Sequence, residues 1–396
     1  MKVLFLAPSR LSRGDATIAA DLARALPRSK FQVGFVAAAE AVSQLHDLGM
    51  PTLPLSGGTP AANLAIVDRI VAGFAPDCLV VADPFALQQS RTWSGLSVAG
   101  LRERYGRPVA GIDRIGWQAA GYTADLYGGA RVTLPSLLDD CDLVIQPGPP
   151  HRIAGAAPVA LHPGGLRDGG PRSAGPADAD GRPLVFLVNS PWEYRNRLRS
   201  LPVAQLIDAL PRVLHSHLAA LGRPLRVIHV GPRPWRFPAA EHVEYQHFGK
   251  MPYQMFQARL AAADLFLTTN ALSQTLAQAV LGGVPALLLD NGETLRADGM
   301  PGWLAACAPL LRTAHPFRVA PLGWHALLEP LLSGNPYAAC FVTAGLFDRP
   351  AVLSALMSLL DDPPATEELK QRQQRYREQL STLPALGDTL RTVVTR

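Results

Sequence analysis

The chain has 396 residues, 48% of them hydrophobic and 17% charged, with a formal net charge of +5. That length exceeds what one core usually sustains and predicts two domains. The apolar content excludes a disordered chain, and a modest charge without Lys/Arg runs between aromatics argues against nucleic-acid binding. Cys78, Cys141, Cys307 and Cys340 are far apart and form no CxxC pair, which points away from zinc or dithiol chemistry and toward a reduced, cytoplasmic protein. The opening MKVLFLAPSR is too short for a signal h-region, and no stretch approaches the ~20 apolar residues of a membrane span.

In chain order, KVLFLAP reads as a buried strand and DATIAADLARAL as an amphipathic helix with Ile18, Leu22 and Leu26 on one face. Asp15 falls at that helix start, where the ordinary role of an Asp is N-cap. FQVGFVAA, PTLPL, a helix over 64–74, DCLVVADPF, GRPVAGID and CDLVIQPG continue the alternation of strands and helices. Continuous apolar strands between helices predict a parallel sheet covered on both faces. Residues 1–163 are therefore a first Rossmann-like domain. A Gly/Pro/Ser/Asp-rich stretch, 164–183, is the linker.

The pattern restarts with LVFLVNS, a helix over 203–221 and RVIHVG. Residues 243–290 then read as a segment ending at Phe248, a helix through Phe256 and Leu260, the strand DLFLTT, a second helix and the strand PALLL. Residues 184–362 form a second doubly wound domain. The recurring Pro and Gly of 301–350 leave that segment unassigned. A charged helix, 363–396, closes the chain and is expected to cross back to the first domain. In an open parallel sheet, ligands bind beyond the carboxyl ends of the strands, where a helix start presents free N–H groups. The loop over 270–275 is such a place.

Residues 243–290, with an F-x-x-M loop, an Ala-Asp-led strand and T-x-x-Q before G-V-P-A-L-L-L, resemble the donor half of GT-B glycosyltransferases. The similarity is greatest to the peptidoglycan N-acetylglucosaminyltransferase group. The resemblance implies two Rossmann-like domains facing a cleft. It also implies a nucleobase held by Phe248, Gly249 and Met251, and donor contacts by Asn270, Ser273, Thr275 and Gln278. By the same likeness Asn189, Ser190 and Arg195 lie near the donor phosphates, and Asp290 and Asn291 near the donor sugar. Two positions depart from the family: Gln278 stands where it usually has Glu, and Leu272 where it has Gly. The alternative for Thr275 and Gln278 is a solvated helix face, with Leu276, Ala279, Val280 and Gly283 as the packing stripe.

The relatives often carry a His in the first loop of the first domain; this chain has Gly14-Asp15, which makes Asp15 the candidate general base, with Asp83 and Asp113 as rivals. Asp140-Cys141-Asp142 and Asp178-Ala179-Asp180 spell DxD, but the first leads into a strand and the second lies in the linker, so no metal site is assigned. His215 and His217, two apart on a helix, point in different directions. The implied function is metal-independent, inverting sugar transfer from a nucleotide-diphosphate donor, UDP-linked before others, to a hydroxyl or other nucleophile of a small-molecule or peptide acceptor. No further cofactor is called for. A sugar-nucleotide epimerase or hydrolase of the same fold, or a degenerate nucleotide-binding paralogue, stands as the alternative.

Overall fold

The computed structural model describes residues 1–10, 13–113, 123–126, 130–133, 138–148, 157–159, 181–236, 240–318 and 332–395. The apolar runs of the first half become β1 (Lys2–Ala7), β2 (Gln32–Ala38), β3 (Thr52–Leu55), β4 (Cys78–Val81) and β5 (Val109–Ile112). β6 (Thr123–Leu126) and β7 (Ala130–Thr133) form a separate antiparallel hairpin, and β8 (Leu143–Pro147) and β9 (Ala157–Val159) complete the main sheet. Its order is β3-β2-β1-β4-β5-β8-β9, all parallel. Register places Phe5 opposite Phe35, and their rings stack at 4.9 Å.

Helices on this sheet begin where polar caps precede proline. Thr59 accepts from the Ala62 amide ahead of helix Pro60–Phe74, and Asp83 accepts from the Phe85 and Ala86 amides ahead of helix Pro84–Ser94. Asp83 is thereby committed to its own helix. Helix Gly14–Arg24 starts one residue before Asp15, so Arg13 is its N-cap and Asp15 lies inside the first turn. The cap expected of Asp15 is not made; its charge faces the positive helix end instead. Asp142 is held by strand geometry, accepting from the Val109 amide at 2.9 Å and pairing with Arg102 at 2.9 Å. The second DxD, at 178–180, lies outside the described residues.

In the second half the strands are β10 (Leu184–Val188), β11 (Leu225–Val230), β12 (Val243–Phe248), β13 (Leu265–Thr268) and β14 (Ala286–Asp290). They are followed by a two-residue ladder, β15 (Leu295–Arg296) with β16 (Thr313–Ala314), and by β17 (Val342–Gly345). The main sheet runs β12-β11-β10-β13-β14-β17, again parallel. The unassigned 301–350 segment thus supplies the sixth strand, with helix Gly302–Cys307 and a 3₁₀ turn, Pro336–Cys340, before it. Phe186 on β10, 0% exposed, meets Phe256 of helix Tyr253–Ala262 edge to face at 5.3 Å.

The chain divides into two compact units, and its end belongs to the first: Met1–Leu126, Ala130–Gly164 and Glu378–Arg396 against Gly165–Arg377. Helix Pro363–Ser381 is fixed to the second unit by Gln373, which is fully buried and donates to the carbonyls of Val284 at 3.0 Å and Cys340 at 2.9 Å. Helix Leu386–Val394 sits on the first unit. A Cβ at Gly387 would lie 3.0 Å from the Phe31 ring, over which Arg391 also rests at 5.1 Å. No described helix is long and apolar enough to cross a membrane.

Candidate functional site

Both sheets reverse their strand order once, between β1 and β4 in the first and between β10 and β13 in the second. At such a switch point the two helices that follow leave on opposite faces and open a crevice beyond the carboxyl ends of the strands. In the second unit that crevice starts at Asn189 and Ser190 after β10, and at Thr269 and Asn270 after β13.

Glu193 joins the two loops. It lies in the short helix Pro191–Arg195, is 8% exposed, and accepts from Asn189 Nδ2 at 2.7 Å and Asn270 Nδ2 at 3.4 Å. Burial pushes its carboxyl up to about 7, opposed by the hydrogen bonds from Asn189, Asn270 and Ser190. The sequence reading did not single out Glu193. Its signal was faint: an acid three residues after Ser190 resembles an ordinary first-turn glutamate.

The Asn270 side chain also closes its own loop, accepting from the Leu272 amide at 2.9 Å. That Asx turn does what a glycine would do elsewhere. Leu272 keeps a negative φ, since Ala75 is the only described non-glycine residue with φ above zero. Helix Gln274–Leu281 follows, with Ser273 capping the Leu276 amide at 3.3 Å. Thr275 and Gln278 are 8% and 2% exposed, so neither belongs to a solvated face. Gln278 Nε2 donates to the Tyr253 hydroxyl at 3.3 Å and ties this helix to the start of helix Tyr253–Ala262. Gln274, 9% exposed, has no hydrogen-bond partner for either amide atom among the described residues, an unusual state for a buried amide.

The remaining donor-side residues fall into two groups. Phe248 ends β12, where its carbonyl accepts from the Gly231 amide at 3.0 Å; Gly249 is exposed and Met251 buried. Asp290, 7% exposed, pairs with Arg318 at 3.3 Å, and the Arg318 carbonyl accepts from the Ala271 amide, so the β14 end is linked to the Asn270 loop. Asn291 is occupied in the fold, donating to the carbonyls of Glu293 at 2.6 Å and His315 at 3.1 Å. Arg195 is exposed, while its neighbour Arg197 is engaged by Asp208 at 2.7 Å.

Beside this rim, the ends of β11 and β12 carry a packed ring cluster. His229 Nδ1 lies 2.7 Å from the Tyr245 hydroxyl, which accepts from the Trp235 amide at 2.9 Å, and the His229 and Trp235 rings are 4.4 Å apart. Burial, with His247 adding to it, lowers His229 to about 3. A Cβ at Gly231 would lie 2.6 Å from His229 Nε2. Gly231→Ala is therefore expected to cost about 1–3 kcal/mol, read as a lower urea midpoint; an unchanged midpoint shows that the ring yields freely. A larger hollow of about 660 Å³ opens at the other end of the same sheet, against Pro183, Asp264 and Pro285. It lies at the amino ends of the strands, away from the crevice.

In the first unit Asp15 is 6% exposed, and Asp113, after β5, is fully buried. Asp83 is used as a cap, and Asp15 lies in the first turn of the helix that follows β1, at that sheet's switch point, with Asp21 farther along the same helix.

Solved structures of GT-B glycosyltransferases share this architecture. The spinosyn rhamnosyltransferase SpnG complexed with thymidine diphosphate matches over 99% of this chain and 100% of its own, with a TM-score of 0.58 at 15% identity. The glycosyltransferase SnogD from Streptomyces nogalater matches over 100% and 99% (TM-score 0.54, 15% identity). A putative UDP-N-acetylglucosamine 2-epimerase from Listeria monocytogenes matches over 94% and 90% (TM-score 0.52, 11% identity). The fold is GT-B, as the motifs over 243–290 predict. By sequence the chain belongs to DUF6365, a family of unknown function whose model matches residues 22–396. No curated protein matches its sequence.

Proposed function

We propose that this protein is a glycosyltransferase that uses a nucleoside-diphosphate sugar. The observation that carries the reading is the second sheet's switch point, where the start of helix Gln274–Leu281 and the buried amides of Asn270, Gln274 and Gln278 gather beyond β10 and β13. Free N–H groups at that helix start suit the diphosphate, and exposed Arg195 adds a positive charge for the leaving group without a metal. Phe248, Gly249 and Met251 would receive the base, and Thr275 and Gln278 the phosphate and ribose. Asp290 and Asn291 frame the sugar end of the site through the contacts that fix their loops.

In this scheme the acceptor hydroxyl attacks the anomeric carbon from the face opposite the leaving group, Asp15 takes its proton, and the bond to the nucleoside diphosphate breaks with inversion. Acceptors with a free hydroxyl on a small molecule or peptide fit it. SpnG has been seen with thymidine diphosphate, so dTDP joins UDP as a test ligand.

Calorimetry of the full chain with UDP and dTDP tests the reading, and failure to bind either overturns it. Gln278→Ala should weaken the bound nucleotide about 2- to 10-fold, the worth of one neutral hydrogen bond; unchanged affinity removes Gln278 from the site while leaving the function standing. The likeness to the 2-epimerase supports a second reading, an epimerase of the same fold. Incubation with UDP-N-acetylglucosamine alone separates the two, since an epimer formed without any acceptor favours the second.

A further inference from the structure

A buried carboxylate is a poor neighbour for a diphosphate, yet Glu193 occupies the switch point at which the donor phosphates are placed above, an inference that rests on that reading of the site. Its partners are neutral amides from both flanking loops, Asn189 Nδ2 at 2.7 Å and Asn270 Nδ2 at 3.4 Å. Behind it, a cavity of about 20 Å³ between Trp235, Thr269, Leu210 and Pro211 has room for one water. Beside it are Tyr194, whose ionisation the Glu193 charge opposes, with Arg233 5.9 Å from the Tyr194 ring, and Arg195, exposed at the end of the same short helix. The facing positions of helix Leu201–Ala219, namely Ile207, Leu210, Pro211 and Leu214, are apolar. Nothing in this set offers the carboxylate a direct ion pair.

We propose that Glu193 binds the donor as a neutral acid, taking up one proton from solvent when a nucleoside diphosphate enters. Asn189 Nδ2 donates to Oε2 at 2.7 Å and Asn270 Nδ2 to Oε1 at 3.4 Å, so a proton on Oε1 leaves Oε2 as the carbonyl that keeps the shorter bond, gives up only the longer one, and gains one O–H donor. That donor can face a phosphate oxygen, which a carboxylate would repel. The free carboxyl already sits near neutrality, since burial has raised it to about 7. An approaching anion raises it further, and the group crosses from mostly charged to neutral at mildly alkaline pH. Donor affinity is thereby coupled to pH through a residue that need not touch the reacting carbon.

The test is titration of the intact protein with UDP and dTDP at pH 8 in two buffers of contrasting ionisation enthalpy, with parent and Glu193→Gln side by side. The parent should take up close to one proton per nucleotide, and its affinity should fall about tenfold for each pH unit above 7. Glu193→Gln, a neutral isostere, should take up none and bind with an affinity independent of pH from 7 to 9. Comparison of the two proteins subtracts any proton linkage of the nucleotide itself. Binding by the parent without proton uptake, or equal uptake by both proteins, overturns this proposal and leaves the functional reading intact. Absence of binding to either nucleotide overturns both. If the variant does not fold, proton uptake by the parent at pH 8 decides the matter, since a terminal phosphate with a second pKa of about 6 is already ionised there.

Discussion

Glu193→Gln is expected to be about 3 kcal/mol more stable than the parent at pH 8, a rise in Tm of roughly 6–12 °C, and no more stable than the parent at pH 4. The reason lies in where the carboxyl titrates. Its pKa is about 7 in the fold and near the ordinary glutamate value when unfolded. A group that holds its proton more tightly in the fold contributes fully below its unfolded pKa, and loses that contribution as pH rises through the folded one. Glu193 therefore opposes folding at pH 8, and the amide relieves that cost. Two histidines behave oppositely. Burial lowers His217 to about 4, against a hydrogen bond to the Leu346 carbonyl, and lowers His229 to about 3. Their contributions are complete above about 6.5 and are lost as pH falls toward those values, for His217 by about 3 kcal/mol. In the parent Glu193 offsets only one of the two histidine dependences between pH 4.5 and 6.5. In Glu193→Gln the histidines act alone, so its stability should drop steeply with acid. Tm measured against pH for both proteins checks this, and equal Tm values at pH 8 would refute it.

The largest loss is expected at Phe186, three residues before the switch-point loop begins at Asn189. Phe186→Ala should cost about 3–5 kcal/mol, because the ring is fully buried on a central strand and packs on Phe256. Phe186→Leu, which keeps most of the volume, should cost less than about 1.5 kcal/mol. Urea unfolding followed by tryptophan fluorescence reads both, and a Phe186→Ala loss below 1 kcal/mol would show that the core closes over the gap. Such a loss would also loosen Asn189, three residues along, so nucleotide affinity should fall in parallel with stability.

The second sheet was legible in the sequence wherever its strands were unbroken apolar runs, as in LVFLV of β10 and ALLLD of β14. β17 was not, because VTAG carries a single large apolar residue and follows a stretch punctuated by Pro and Gly. Of the residues drawn from motifs, Asn189, Ser190 and Asn270 lie at the ends of β10 and β13, and Thr275 and Gln278 on the helix that leaves β13. What the motifs withheld was the centre of that arrangement. Glu193 is defined by Asn270, 77 residues away in the chain, and by Trp235 behind it, contacts that no local spacing encodes. Asp15 shows the smaller error of a boundary. One residue of helix extension moved the cap to Arg13 and left the carboxylate in the first turn.

The terminal stretch from Glu378 onward, which completes the first unit with helix Leu386–Val394, bears on how this protein can be dissected. Cutting at the Gly/Pro-rich linker does not yield two self-sufficient halves. An amino-terminal fragment would lack the helix that covers Phe31, and a carboxy-terminal fragment would carry that helix with nothing to cover. A fragment built for separate expression needs residues 378–396 grafted after 164 or supplied in trans. On the ribosome, the same topology means that the first unit stays unfinished until residues 378–396 have emerged.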